Sequence, residues 1–459
     1  MGIDRAVYYS ILTRALTTAG GLITVPLIIT RLTSAEQGFY YTFGSIIALQ
    51  VFFELGFGLV AVQLVAHEAA HLTLDLSSGA SGPPERIARL SAVAHFVRRW
   101  YLVLSIVSAP SLFLAGAWFF SSSSQASAVR WMGPWAIMSL TASGMLFVTS
   151  LVSIIEGMGF VAEAIRLRLC AIAAQIPFTV LGLMLGLRLY SAPVANALGL
   201  TIYALLSWRT LRPVLRAATP NLATEKPSWR SDVLPLQWRI AVSWLSGWFI
   251  FSAMTPTVFT RFGAEEAGRF GLAIAISNLI SAISSSWTST KSAVLGQLAS
   301  RCDWRTMDTI FLRATTQAVA VATAASLSAV ALTPVLSTWL PQVSTRLPSP
   351  RVLSMLCLAA SANQVVFAEA LYLRAHKREP FLVTSLVSAG AMCLGLFGMA
   401  HSSACSIATM YAALTLLIGV LCGTIIFVYC RSSWHRAAPS RPCVAVHFGQ
   451  RITQFPDAG

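Results

Sequence analysis

Residues 380 to 430 run for 51 positions without a single Asp, Glu, Lys or Arg. A soluble core helix needs nothing so long, whereas two membrane crossings of about 20 residues each do, and His401-Ser402-Ser403 offers a break between them. Other charge-free runs occupy 100–129, 131–155, 169–187, 189–208, 240–260, 270–290 and 314–345. With 56% hydrophobic and 11% charged residues, the chain reads as a polytopic membrane protein. In hydrocarbon every backbone N–H and C=O must be satisfied by the protein itself, which leaves helices or a closed barrel. The runs lack the apolar-out, polar-in alternation of barrel strands, so the expected fold class is all-α.

Twelve spans are expected, near 7–30, 41–66, 101–120, 132–155, 168–187, 190–208, 239–260, 271–297, 313–340, 352–373, 381–400 and 404–430. An inward N-terminus puts 23 of the 32 Lys and Arg on the cytoplasmic side and 7 on the other, with Arg14 and Lys291 inside spans. That bias sets both termini in the cytoplasm. The net charge of +15 follows this topology and is dispersed along membrane edges, which excludes nucleic acid as the expected partner. The loop 67–99 holds a flexible SSGASGPP piece and then ERIARLSAVAHFVRRW, whose apolar residues repeat at helical spacing between arginines. It is expected to lie on the inner leaflet as an amphipathic helix. The eight cysteines show no CxxC pair and no metal-ligand spacing, so they read as packing residues, and neither metal nor cofactor is expected.

A shift of 230 positions aligns PLIITRLTSAEQG, residues 26–38, with PTVFTRFGAEEAG, residues 256–268. Pro26/Pro256, Thr30/Thr260, Arg31/Arg261, Glu36/Glu266 and Gly38/Gly268 coincide. The shift is half the chain, as duplication of a six-helix unit requires, and an even number of spans between the copies makes the repeat parallel. The expected organisation is an N-terminal six-helix lobe (1–208), a cytoplasmic linker (209–238), a C-terminal six-helix lobe (239–430) and a basic tail (431–459), with a central cavity between the lobes. In the matched hairpins Pro is expected to bend the helix end, Gly to make the turn, and Arg and Glu to anchor a wet loop.

The elements RLTSAEQGFYYTFGS and FFELGFG resemble the start of polysaccharide and O-antigen flippases, within the multidrug/oligosaccharidyl-lipid/polysaccharide exporter superfamily. The family's acidic-x-Gly turn corresponds to Glu36-Gln37-Gly38, and its acidic-Leu-Gly element to Glu54-Leu55-Gly56. The long loop 67–99 departs from the family pattern. The resemblance implies flipping of an undecaprenyl-diphosphate-linked oligosaccharide across a bacterial inner membrane by rocking of two lobes. Membrane lipids, a polysaccharide polymerase and chain-length proteins would be its partners.

Three ionisable residues fall well inside the spans. Glu54 is near the centre of the second, where a charge costs about 2.5 to 3.5 kcal/mol on insertion scales, and Gly56 and Gly58 loosen the helix beside it. Arg14 sits about 8 Å to the cytoplasmic side of the centre of the first span, within reach of an Arg14–Glu54 pair. Lys291 belongs to ISSSWTSTKSAV, a stretch too polar to face lipid. Each has a bland reading: Arg14 and Lys291 as snorkelling cations, Glu54 as a clamp on Arg14. The sharper reading makes all three central-cavity residues, with the cations attracting the substrate's diphosphate and Glu54 tempering affinity or coupling transport to protonation. Glu369 is expected to pair with Arg374, while Gln175 and Asn196 are expected to bond between helices.

Two rival functions stay open. A multidrug exporter of the same superfamily would expel cations, usually through a carboxylate in the first helix, yet no Asp or Glu lies between Asp4 and Glu36. A membrane polysaccharide polymerase or ligase would need sizeable outward loops and a catalytic set, and neither a carboxylate pair at glycosidase spacing nor a phosphate-binding Gly loop occurs.

Overall fold

In the computed structural model the described residues are 5–70, 72–76, 79–122, 129–217, 234–339, 341–376, 380–398 and 403–437. The first span is α1 (Arg5–Arg31). Thr33 then opens α2 (Ser34–Ile47) with a capping box: its hydroxyl accepts from the Glu36 amide at 3.2 Å, and the Glu36 carboxylate accepts from the Thr33 amide at 2.9 Å. The second span continues through a 3-10 turn into α3 (Val51–Glu54), breaks where Leu55 (φ 47) and Gly56 (φ 72) turn left-handed, and resumes as α4 (Phe57–Ala69) with a bend of 43°. Gly56 thus does what its lack of a Cβ allows, while Gly58 lies within α4. A short antiparallel pair follows, β1 (Thr73–Asp75) with β2 (Gly79–Ser81). The N-terminal half then adds α5 (Pro84–Ser121), α6 (Met132–Gly157), α7 (Val161–Met184) and α8 (Ser191–Ala217).

The second half begins with α9 (Leu234–Phe251) and α10 (Met254–Ser289), followed by α11 (Ser292–Arg301), α12 (Trp304–Trp339) and the short α13 (Pro341–Ser344). It ends with α14 (Pro350–Ala375), α15 (Leu382–Gly398), α16 (Ala404–Leu414), a π-helical segment (Thr415–Cys422) and α17 (Gly423–Ala437). Inside α10, Gly263 takes φ 86 and ψ 173, 230 positions after the capping Thr33. The turn between the seventh and eighth spans therefore sits at Gly263 and not across 261–270. The seventh span is α9 with the start of α10, and the eighth is the rest of α10 with α11.

Among the described residues nine helices are long and apolar enough to cross a membrane, ten with the bent pair joined. The run Trp244–Arg301, 58 residues long, holds two arms, and Leu382–Gly398 adds a shorter apolar helix. These segments accommodate the twelve expected crossings. The packing also repeats: α1 with α7, α5 with α6 and α6 with α8 in the first half answer α9 with α15, α12 with α14 and α14 with α16 in the second. The protein is an all-α, polytopic membrane protein of two parallel six-helix halves.

Several local expectations change. Gly38 and Gly268 do not make turns; they lie within α2 and α10 and let the two helices meet. A Cβ on Gly38 would stand 1.8 Å from the Ala264 carbonyl oxygen, and one on Gly268 would stand 3.1 Å from that of Ser34. Ser34 and Ala264 are themselves 230 positions apart, so the contact is reciprocal, as a two-fold axis between the halves requires. Glu36 does not anchor a wet loop, since it is only 9% exposed, whereas Arg31 before it is exposed. The segment after Pro83 does not lie on a leaflet: it is the first part of the single 38-residue α5, and Leu90, Val93, Ala94 and Val97 are buried in the first half's core. The helix forms continuously because Pro84 starts it and no breaker intervenes before Pro110. Part of the SSGASGPP piece is strand β2. The linker reading falls largely on 218–233, and the tail reading on 438–459, both outside the described residues. Cys170, Cys357, Cys393, Cys405 and Cys422 are free, but Cys302 is disulfide-bonded, against the expectation of simple packing.

The cores are distributed unevenly. One buried cluster joins both halves at the end bearing the hairpins, with Phe39, Phe43, Phe120, Trp131 and Trp135 from the first and Phe259, Ala264 and Phe270 from the second. At the opposite end the first half has its own core around Phe57, Tyr101 and Ile155, and the second has another around Met307, Phe311 and Tyr372.

Candidate functional site

The halves meet mainly through α2 and α10, and less through α1 with α10 and α3 and α4 with α9. Polar ties close the hairpin end: the Gln37 amide donates to the carbonyls of Gly268 (3.0 Å) and Arg346 (3.3 Å), and Arg346 donates to the Ile29 carbonyl (2.6 Å). Phe39 and Phe259 pack edge to face at 5.1 Å across the same junction.

Two of the three candidate residues border this seam farther down. Arg14 is exposed on α1 and donates to the Ser289 hydroxyl at the end of α10, linking the halves. Two residues on, Lys291 is exposed at the break between α10 and α11, where it occupies the N-cap position of α11. The first N–H groups of α11 lack helical partners and add positive partial charge there. Among the described residues neither cation has a carboxylate partner. The polar stretch before Lys291 divides: Ser284 and Thr288 are buried in helix packing, while Ser289 faces Arg14.

Glu54 is elsewhere. Its carboxylate accepts from the Tyr101 hydroxyl of α5 at 2.9 Å and lies beside Gly58, where a Cβ would stand 2.9 Å from Oε1. The left-handed turn at Leu55-Gly56 ends α3 next to α5, so Glu54 is held within the first half. The expected Arg14–Glu54 pair does not form. Glu369 also differs from expectation, since its carboxylate accepts from the Thr424 hydroxyl at 2.8 Å instead of pairing with Arg374. Arg374 is five positions on, which turns it about 140° around the helix.

Each half also holds a partly open cavity of its own. The first, about 360 Å³, is lined by Gln50, Thr141, Arg168, Gln175, Asn196 and Tyr203 among apolar residues. Gln175 and Asn196 are hydrogen-bonded to one another as expected, and Arg168 reaches the Tyr203 hydroxyl. The second, about 410 Å³, is bounded by α9, α14, α15 and the π segment, with Asn363, Arg374, Ser385, Tyr411 and Thr415 on its wall. Asn363 donates to the Tyr411 hydroxyl at 3.1 Å. Sequence reasoning places Arg168 and Arg374 among the loop charges and so misses both; the amides spaced along neighbouring spans are the signal that points to them.

No family model matches the chain, and no curated protein sequence matches it. Solved structures do. The chain is similar to the lipid II flippase MurJ in an inward closed conformation, at 13% identity and a TM-score of 0.64 over 94% of this chain and 91% of that one. It is similar to an inward-facing multidrug resistance MATE family transporter of the MOP superfamily, at 14% identity and a TM-score of 0.59 over 92% and 99% of the two chains. An outward-facing multidrug resistance MATE family transporter of the same superfamily also matches, at 15% identity and a TM-score of 0.53 over 93% and 96%. The chain thus carries the fold shared by these MATE transporters and MurJ.

Proposed function

We propose that this protein is a MOP-superfamily transporter that flips an undecaprenyl-diphosphate-linked oligosaccharide, the unit of an O-antigen or other surface polysaccharide, across a bacterial inner membrane by alternating access. One observation carries the reading: Arg14, bonded to Ser289, and Lys291, two residues after that serine, border the seam between the halves without carboxylate partners among the described residues. Two cations and the start of α11 favour an anionic group such as a diphosphate. The separate cores at the end bearing the chain termini and the shared core at the other support a state closed on one side only. With both termini cytoplasmic, as the Lys and Arg distribution expects, that state opens toward the cytoplasmic leaflet, where the substrate is made. A polysaccharide polymerase and chain-length proteins would act on what it delivers.

Arg14→Ala and Lys291→Ala should each reduce surface polysaccharide export at least tenfold with normal protein in the membrane, and should cause lipid-linked oligosaccharide to accumulate on the inner leaflet. Normal export in the double variant removes both cations from the site. Transport of a cationic dye by the reconstituted protein, without movement of a lipid-linked oligosaccharide, would make it a drug exporter instead.

A further inference from the structure

The carboxylate of Glu369 plays no part in the seam. It lies in α14, 3% exposed, on a helix whose neighbours there are apolar. Oε1 accepts from Thr424, the second residue of α17, while Oε2 is buried without any hydrogen-bond partner among the described residues. An ionised carboxylate in that position leaves lone pairs unpaired in a poorly solvated site, at a cost of about 1 to 3 kcal/mol or more.

The groups that could offset its charge are engaged elsewhere or turned away. Arg374 points around its own helix and lines the second cavity. From α17, Arg431 is bonded to Asp308 of α12, and His435 lies 3.1 Å from the Tyr372 hydroxyl, which itself donates to Asp308 at 2.7 Å. Just before α15 the neighbour is the Phe381 ring, which meets Gly423 beside Oε2. A metal cation would require several converging oxygens, and Thr424 supplies one. A proton requires only Oε2.

The surroundings also show what a proton there would act upon. Thr424 and Gly423 directly follow the π segment Thr415–Cys422, and a Cβ on Gly423 would lie 3.6 Å from Oε2. Single π turns inside α-helices hold one residue more than the α pattern and occur frequently at functional sites. Thr415 and Gly419 of this segment, with Phe381, line the second cavity, so Glu369 is separated from that space by one residue layer.

We infer that Glu369 is a proton-binding site of the C-terminal half, set against the π segment so that taking up a proton changes how that segment seals the second cavity. The proton adds to Oε2, giving a neutral carboxylic acid that keeps its bond from Thr424 and no longer leaves an anion unpaired. Uptake of the proton stands on this geometry; its use to drive transport rests on the flippase reading.

The test has two arms. Infrared difference spectra of the purified protein across a pH titration should show a carboxylic acid C=O band that disappears in Glu369→Gln and shifts in Glu369→Asp. A band unchanged in Glu369→Gln, or no such band in the wild type, overturns the site. Glutamine preserves shape and can still accept from Thr424, so loss of the band would not reflect loss of fold, and the melting temperature in detergent checks this. In proteoliposomes, an imposed pH gradient should speed movement of a labelled undecaprenyl-diphosphate oligosaccharide about tenfold in the wild type and not at all in Glu369→Gln. An equal response in both overturns the coupling. A wild type that moves no such lipid sinks the flippase reading alone, and the infrared arm then decides the proton site.

Discussion

At the hairpin end the two halves share one buried core and touch through reciprocal glycines; at the other end each half closes around its own core. The halves have the same helix pairings, so the difference does not come from topology. It comes from side-chain size along α2 and α10. Where Gly38 and Gly268 remove the Cβ, backbones approach and aromatic rings from both halves interdigitate. Farther along, the first of these spans bends by 43° at Leu55-Gly56 and continues as α4 into the first half's own core, while the second is interrupted at Thr290-Lys291. An internal duplication can thus be joined at one end and divided at the other using glycines and two breaks.

The largest effect should come from Phe39→Ala. Phe39 is fully buried and packs on Phe120 and Trp131 of its own half and Phe259 of the other. Truncation should cost about 3 to 5 kcal/mol and lower hydrogen-exchange protection in both halves; a loss confined to the first half would break the idea of a shared core. Gly38→Ala should cost about 1 to 3 kcal/mol by overpacking against Ala264. The matched control, Gly44→Ala, has open space at its Cβ and should be neutral or slightly stabilising. Equal melting temperatures for the two alanine variants would remove glycine packing as the cause of closure. Asp308→Asn should matter least. It weakens the Arg431 contact at the divided end, where the side chains are 40% and 20% exposed, so about 1 kcal/mol is the ceiling. Its exchange effect should stay within the second half, and a change in α4 or α5 would show that the two inner cores communicate.

Most of this fold is legible in the charge-free runs and in the match of 26–38 to 256–268, because membrane burial and duplication both leave marks in a linear sequence. The exact turn at Gly263 is harder to see, since the charged stretch from Arg261 to Arg269 reads as a loop, whereas the helix resumes at once and carries Glu265, Glu266 and Arg269 within it. The arginines in the first part of α5 give it two faces, as a surface helix has; the apolar face packs on protein, which composition cannot distinguish from packing on lipid. For the site, the rarity of intramembrane charge points to Arg14, Glu54 and Lys291. Partners are not written in the chain in the same way. Which of Arg14 or Tyr101 meets Glu54 depends on the bend at Leu55-Gly56, and which of Arg374 or Thr424 meets Glu369 depends on helix phase and on the π segment.

The length of α5 has a mechanical consequence. Its 38 residues span about 57 Å, nearly twice a hydrocarbon core. Its Ser121 end is anchored in the aromatic cluster beside the glycine junction, and its Pro84 end carries the β1–β2 pair far from that junction. If the halves swing about the glycines, the helix acts as a lever whose tip travels about 1 Å for every degree of rotation, so small adjustments at the pivot become large strokes at the membrane's far face.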